Sequence, residues 1–135
     1  MRRFPPLAAL LLVLVLAACG SGSSKPYTAA ASKACLRSQG FTGVTTDAGK
    51  VGFIAAFAAN GGLQAKSKTG NVLTIAFTDS SGSVSGIEKA FRRNAPASLR
   101  PHMSDIMESQ GNAVLVWTIS PTSDELSAAQ GCLHS

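Results

Sequence analysis

VLTIAFTDSSGSVSGIEKAF, residues 72–91, and VLVWTISPTSDELSAAQGCL, residues 114–133, align at an offset of 42. Val72 falls on Val114, Leu73 on Leu115, Val84 on Leu126 and Phe91 on Leu133. Each copy opens with an apolar run of strand length. Each then shows apolar residues at helical spacing, Val84, Ile87 and Phe91 in the first and Leu126, Ala129 and Leu133 in the second. Gly70-Asn71 and Gly111-Asn112 precede the two runs, and such pairs suit tight hairpin turns. Residues 63–69 and 103–109 therefore read as the first strands of two hairpins. Two strand-turn-strand-helix units predict an α+β domain: a four-stranded antiparallel sheet with helices packed on one face. Duplication and convergence of two amphipathic units both give this pattern, and the architecture follows from either.

Upstream, the Ala-rich residues 28–39 start at a capping Thr28, stop at Gly40 and predict a first helix that carries Cys35 and Leu36 inward. Residues 41–45 give no usable period and stay open between strand and connector. Residues 50–59 place Val51, Ile54, Ala55 and Ala58 on one face, Phe53 and Phe57 widen it, and Asn60-Gly61-Gly62 ends it, so a largely buried second helix is expected. Downstream, Thr122 and Glu125 form a capping box that sets the start of the last helix.

At the front, Arg2 and Arg3 precede an uncharged run, residues 7–16, which has the length of a secretory h-region and is too short to span a bilayer. Leu16-Ala17-Ala18-Cys19 then closes it. This stretch resembles the lipobox of bacterial lipoprotein precursors. The resemblance implies cleavage before Cys19, a diacylglyceryl group on the Cys19 thiol, and a protein held outside the cytoplasm by its N-terminal lipid. Two acyl chains suffice for a stable anchor, whereas one binds only marginally. Residues 1–18 would then be the signal peptide, 19–28 the lipidated cysteine with a Gly/Ser-rich tether, and 29–135 a single domain.

With Cys19 carrying lipid, Cys35 and Cys132 remain as an even pair in an exported chain, and a disulfide between them is expected, against the alternative of two buried thiols. It would make the first and last helices neighbours and close the domain end to end. Loss of Arg2 and Arg3 leaves ten basic against seven acidic residues, a net charge of +3. That balance suits an anionic membrane face, envelope polymer or protein partner, and it falls far short of a nucleic-acid footprint.

Candidate chemistry is sparse. Asp79-Ser80-Ser81-Gly82-Ser83 resembles the D-x-S-x-S element of von Willebrand A and integrin I domains, which implies a divalent cation held by Asp79, Ser81 and Ser83. That fold carries the motif on its first strand. Here the loop aligns with Pro121-Thr122-Ser123-Asp124-Glu125, a helix start, and so reads first as a strand-to-helix turn with capping serines. GSVSG, residues 82–86, misses the nucleophile-elbow pattern because Val84 holds the central place. His102 and Asp105, with Ser104 or Ser109, are the residues from which a small serine hydrolase would have to be built. Lys89, Arg92, Arg93 and Arg100 form the densest basic cluster, a candidate contact for an anionic surface or a solvated helix face. Trp117, mid-strand, is expected in the core, and only an exposed Trp117 would point to a ligand groove. The sequence thus predicts a lipid-anchored envelope protein with a non-catalytic binding or accessory domain, no cofactor and no nucleic-acid partner.

Overall fold

The computed structural model describes residues 24–135; Cys19 and the stretch that resembles a lipobox lie outside the described residues. One antiparallel sheet runs in the order β1-β2-β3-β5-β4, with β1 at Thr42–Thr45, β2 at Gly62–Lys66, β3 at Val72–Phe77, β4 at Met107–Gln110 and β5 at Ala113–Trp117. The helices are α1 (Ala29–Ser38), α2 (Phe53–Ala56), α3 (Val84–Asn94), α4 (Met103–Ile106) and α5 (Ser123–Gly131). The α+β class stands, and the strand count rises from four to five. The added strand, β1, is the segment whose period is unreadable. Gly43 there takes φ +58° and the register to β2 shifts between Thr42 and Thr45, so its side chains do not alternate cleanly.

Two hairpins meet at the sheet centre. Thr74 stands opposite Val116, the residue 42 positions later that matches it in sequence, and Leu73 opposite Trp117 and Ile75 opposite Leu115 repeat the relation on either side. A local two-fold axis therefore passes between Thr74 and Val116, perpendicular to the sheet. The second hairpin turns through Gly111-Asn112 alone, with Gln110 opposite Ala113. The first needs a longer loop. Lys66 faces Val72, and residues 67–71 lie between them, with Gly70 at φ +90°.

That two-fold ends with the strands, because the helices cover both faces of the sheet and not one. A Cβ on Gly61 would meet Ala29 of α1 at 3.1 Å, whereas a Cβ on the next residue, Gly62, would meet the Ala55 carbonyl oxygen of α2 at 2.6 Å. Neighbouring strand residues point to opposite faces, so α1 and α2 lie on opposite sides. The burial of Ile75, Ala76 and Phe77, all at 0% exposure, requires the same. An uninterrupted apolar run is the mark of a strand covered twice, and Ile75-Ala76-Phe77, the second half of β3, is such a run.

On one face Phe41, just after α1, packs its ring 6.4 Å from that of Trp117. Leu36, Ala129 and Leu133 join that core. Cys35 and Cys132 are disulfide-bonded, 97 residues apart. The chain ends are also tied by hydrogen bonds: the Thr28 N–H donates to the His134 carbonyl, and the His134 N–H donates to Ser32 Oγ.

On the other face the helix expected over 50–59 is reduced to one turn, α2. Gly52 leads into it at φ +84°. Val51, Ala55 and Ala58 close on Ala76, with Ile87 and Phe91 of α3 beside them. Phe53 and Phe57, expected to widen the buried side, instead point outward at 77% and 78% exposure. The reason is steric. Only a small-residue face can come this close to Gly62, so the two rings turn away and pack on each other, centroids 4.9 Å apart. Likewise residues 103–106 form the turn α4 rather than strand, which lets Met103 and Ile106, three apart, bury on one side.

Candidate functional site

The loop after β3 satisfies itself. Asp79 Oδ1 accepts from Ser83 Oγ at 2.6 Å and from Ser80 Oγ at 3.4 Å. The Ser83 hydroxyl is the chief reason that the Asp79 carboxyl lies below its ordinary range, with Ser80 adding to the effect. Ser81 is exposed and stands outside this set. The 3₁₀ turn Ser81–Ser83 leads straight into α3. The Ser80 and Ser83 hydroxyls are thus spent on the Asp79 carboxylate, and neither side chain caps the helix start as the sequence suggested. Among the described residues, no three His, Cys, Asp or Glu side chains gather as metal ligands.

His102 Nδ1 lies 3.8 Å from Asp105 Oδ2, and both side chains are about two-thirds exposed. Neither Ser104 nor Ser109 is hydrogen-bonded to His102 among the described residues, so the structure does not bring these groups together as a relay.

Lys89, Arg92, Arg93 and Arg100 are all exposed. The ion pairs among the described residues are Lys50 with Asp47 and His102 with Asp105, so none of the four cations is neutralised by a direct partner. Arg92 and Arg93 occupy the last turn of α3, where cations also complement the helix dipole. Arg100 folds back, and its Nε donates to the Ala95 carbonyl at 3.0 Å.

Beside that residue lies an apolar groove which the sequence did not announce. It encloses about 280 Å³ between α3, α4 and the outer side of the sheet, lined by Ile54, Phe91, Pro96, Leu99, Met103 and Val116. Trp117 itself is 1% exposed and is a core residue. The groove arises because α2 is too short to cover the Thr74 and Val116 end of its face. Ile54 and Phe91, read as helix-core residues, are the signals that point to it, but only the short α2 leaves space between them.

Glu125 does more than cap its helix. Its Oε2 accepts from the Thr122 N–H at 2.9 Å, while Oε1 accepts from Ser67 Oγ at 2.6 Å and also from the Thr69 hydroxyl. One carboxylate therefore fastens the start of α5 to the first hairpin loop, 58 residues away. Desolvation opposes its ionisation, but the bonds from Ser67, Thr69 and Thr122 outweigh that and hold its pKa at about 2, against 4.5. A lowered folded-state pKa contributes stability that is present above 4.5 and is lost as pH falls toward 2. The gap in melting temperature between the native protein and Glu125→Gln is expected to be full at neutral pH and to close across that window. A gap that stays constant from pH 7 to 2.5 would refute the role of the charge.

Comparison of the chain with protein-family models, with curated proteins and with solved structures gives no match in any of the three.

Proposed function

We propose that the chain is an exported, lipid-anchored protein of the bacterial cell envelope whose domain binds a partner without transforming it. The observation that carries the reading is the Cys35–Cys132 disulfide. A disulfide of this kind belongs to an oxidising compartment, which is where the lipobox at Leu16-Ala17-Ala18-Cys19 would deliver the chain. The binding role rests on the groove beside α3, apolar within and neighboured by Arg100. An apolar cleft with a few polar groups at its rim is the usual form of a ligand site, and here it suits an apolar group that carries negative charge.

The test is the intact mass of the protein recovered from membranes of its native host, with non-reducing peptide mapping. The expected product begins at a diacylated Cys19 and holds Cys35 joined to Cys132. An unlipidated chain recovered from the cytoplasm would overturn the reading.

A further inference from the structure

We propose that the exposed Phe53–Phe57 pair is a second membrane contact, which lays the α2 end of the domain on the bilayer that holds the lipid at Cys19. The proposal rests on the anchor reading above and adds to it a surface and an orientation.

Two large apolar side chains standing 77% and 78% free of the protein, their rings in tilted contact, form a raised aromatic knob. Solvent exposure of such a pair is unfavourable unless something covers it. The position of the tether says what does. The described chain enters the domain through residues 24–27, and Tyr27 is held fast there. Its N–H donates to Asn112 Oδ1 at 2.7 Å, and its carbonyl accepts from the amides of Asn112 at 2.9 Å and Asn60 at 3.4 Å. Asn60 lies three residues after Phe57. Ser24 to Tyr27 line one side of the Asp79 loop, and Phe57 with Ala58 and Ala59 lines the other. The tether and the aromatic pair thus leave the molecule at the same end.

Tyr27 lies eight positions after Cys19, a reach of at most about 29 Å when fully extended. A lipid inserted at Cys19 therefore holds Tyr27, and the aromatic pair at the same end, within about 29 Å of the bilayer. Aromatic and aliphatic side chains that dip into the headgroup boundary are the general means by which a surface-bound protein adds to a lipid anchor. Lys25 by the tether suits anionic headgroups, Lys50 beside Phe53 is paired with Asp47 at 4.0 Å, and Asp79 is a further acidic side chain at this end. A natural control exists. Ile119 is 63% exposed but follows β5, beside Asn71 at the far end of the sheet.

The experiment places a benzophenone amino acid at Phe57, or at Ile119, in the full lipoprotein purified from membranes. The protein is reconstituted in phosphatidylethanolamine and phosphatidylglycerol vesicles and irradiated, and mass spectrometry reads both the adduct and the Cys19 peptide. Phospholipid adducts at position 57 are expected to exceed those at 119 by at least ten-fold. Lipid on Cys19 with equal adduct yields at the two positions, or with position 57 joined to a second copy of the chain, would overturn the proposal alone. A Cys19 peptide without lipid would overturn the anchor reading, and this proposal with it.

Discussion

Breaking the Cys35–Cys132 bond is expected to lower the stability of the folded domain by about 4 to 5 kcal/mol, the chain-entropy value for a loop of roughly 100 residues. For a domain of this size that is a fall in melting temperature of roughly 20 °C, a large share of the 5 to 15 kcal/mol typical of native proteins. The bond joins α1 to α5, next to the Thr28 and His134 hydrogen bonds, so its loop of 97 residues spans almost the whole described chain. Its effect falls mainly on the unfolded state, and a second reading follows. The unfolded chain expands once the link is gone, so the slope of unfolding free energy against urea should steepen on reduction. Cys132 is buried and Cys35 half-buried, so the matching variant is Cys35→Ala with Cys132→Ala, which avoids placing unpaired hydroxyls in the core. An unchanged melting temperature after verified reduction would contradict this account.

Legibility in the sequence followed the range of the forces involved. The repeat at offset 42 disclosed both hairpins and the two helices after them, because each depends on neighbours close in sequence. The Thr122–Glu125 capping box and the Thr28 cap are local for the same reason, and both form. The disulfide followed from the cysteine count together with the export that the lipobox resemblance implies, and the bond is present. What was misread depends on packing between distant segments. The one-sided helix layer was expected by treating the two units as equivalent, but α3 and α5 follow equivalent strands to opposite faces. The apolar triplet Ile75-Ala76-Phe77 carried that information and gives no more than a strand signal by period alone. Phe53 and Phe57 have helical spacing, and nothing in spacing reveals that the helix rests on Gly62 and can bury only alanines there. Glu125 was read as a cap, and its bonds to Ser67 and Thr69 lie beyond any local pattern. The groove beside α3 was hidden for a related reason, since it is a space left by a helix that turned out short.

Asn112→Ala is expected to cost about 2 to 4 kcal/mol, and Asn71→Ala, the equivalent change in the other hairpin, only about 1 to 2. Both asparagines follow the turn glycine, both are buried, and each clasps the strand end beside it. Asn71 accepts from Thr118 Oγ1 at 2.9 Å and from the Ile119 N–H at 3.1 Å, and donates to the Ile119 carbonyl at 3.0 Å. Asn112 grips Tyr27 twice and donates to the Thr78 carbonyl at 2.6 Å. Neither residue has a positive φ, so alanine fits both backbones and the change isolates the side chain. The costs differ because the stranded partners differ. Thr118 and Ile119 are exposed and water can replace the lost amide, whereas Thr78 is buried and Tyr27 half-buried, and a polar group left unpaired out of water bears its full desolvation cost. The two clasps sit at opposite ends of β3, on the order of 20 Å apart at the rise of an extended strand, so in the double variant the costs should add to within about 0.5 kcal/mol. Urea unfolding of the two single variants and the double variant measures all three quantities. Equal costs for the single variants would show that partner burial does not govern them. Asn112→Ala should also release Tyr27, which amide exchange at residues 27–29 would register, and it would thereby loosen the entry of the described chain into the domain.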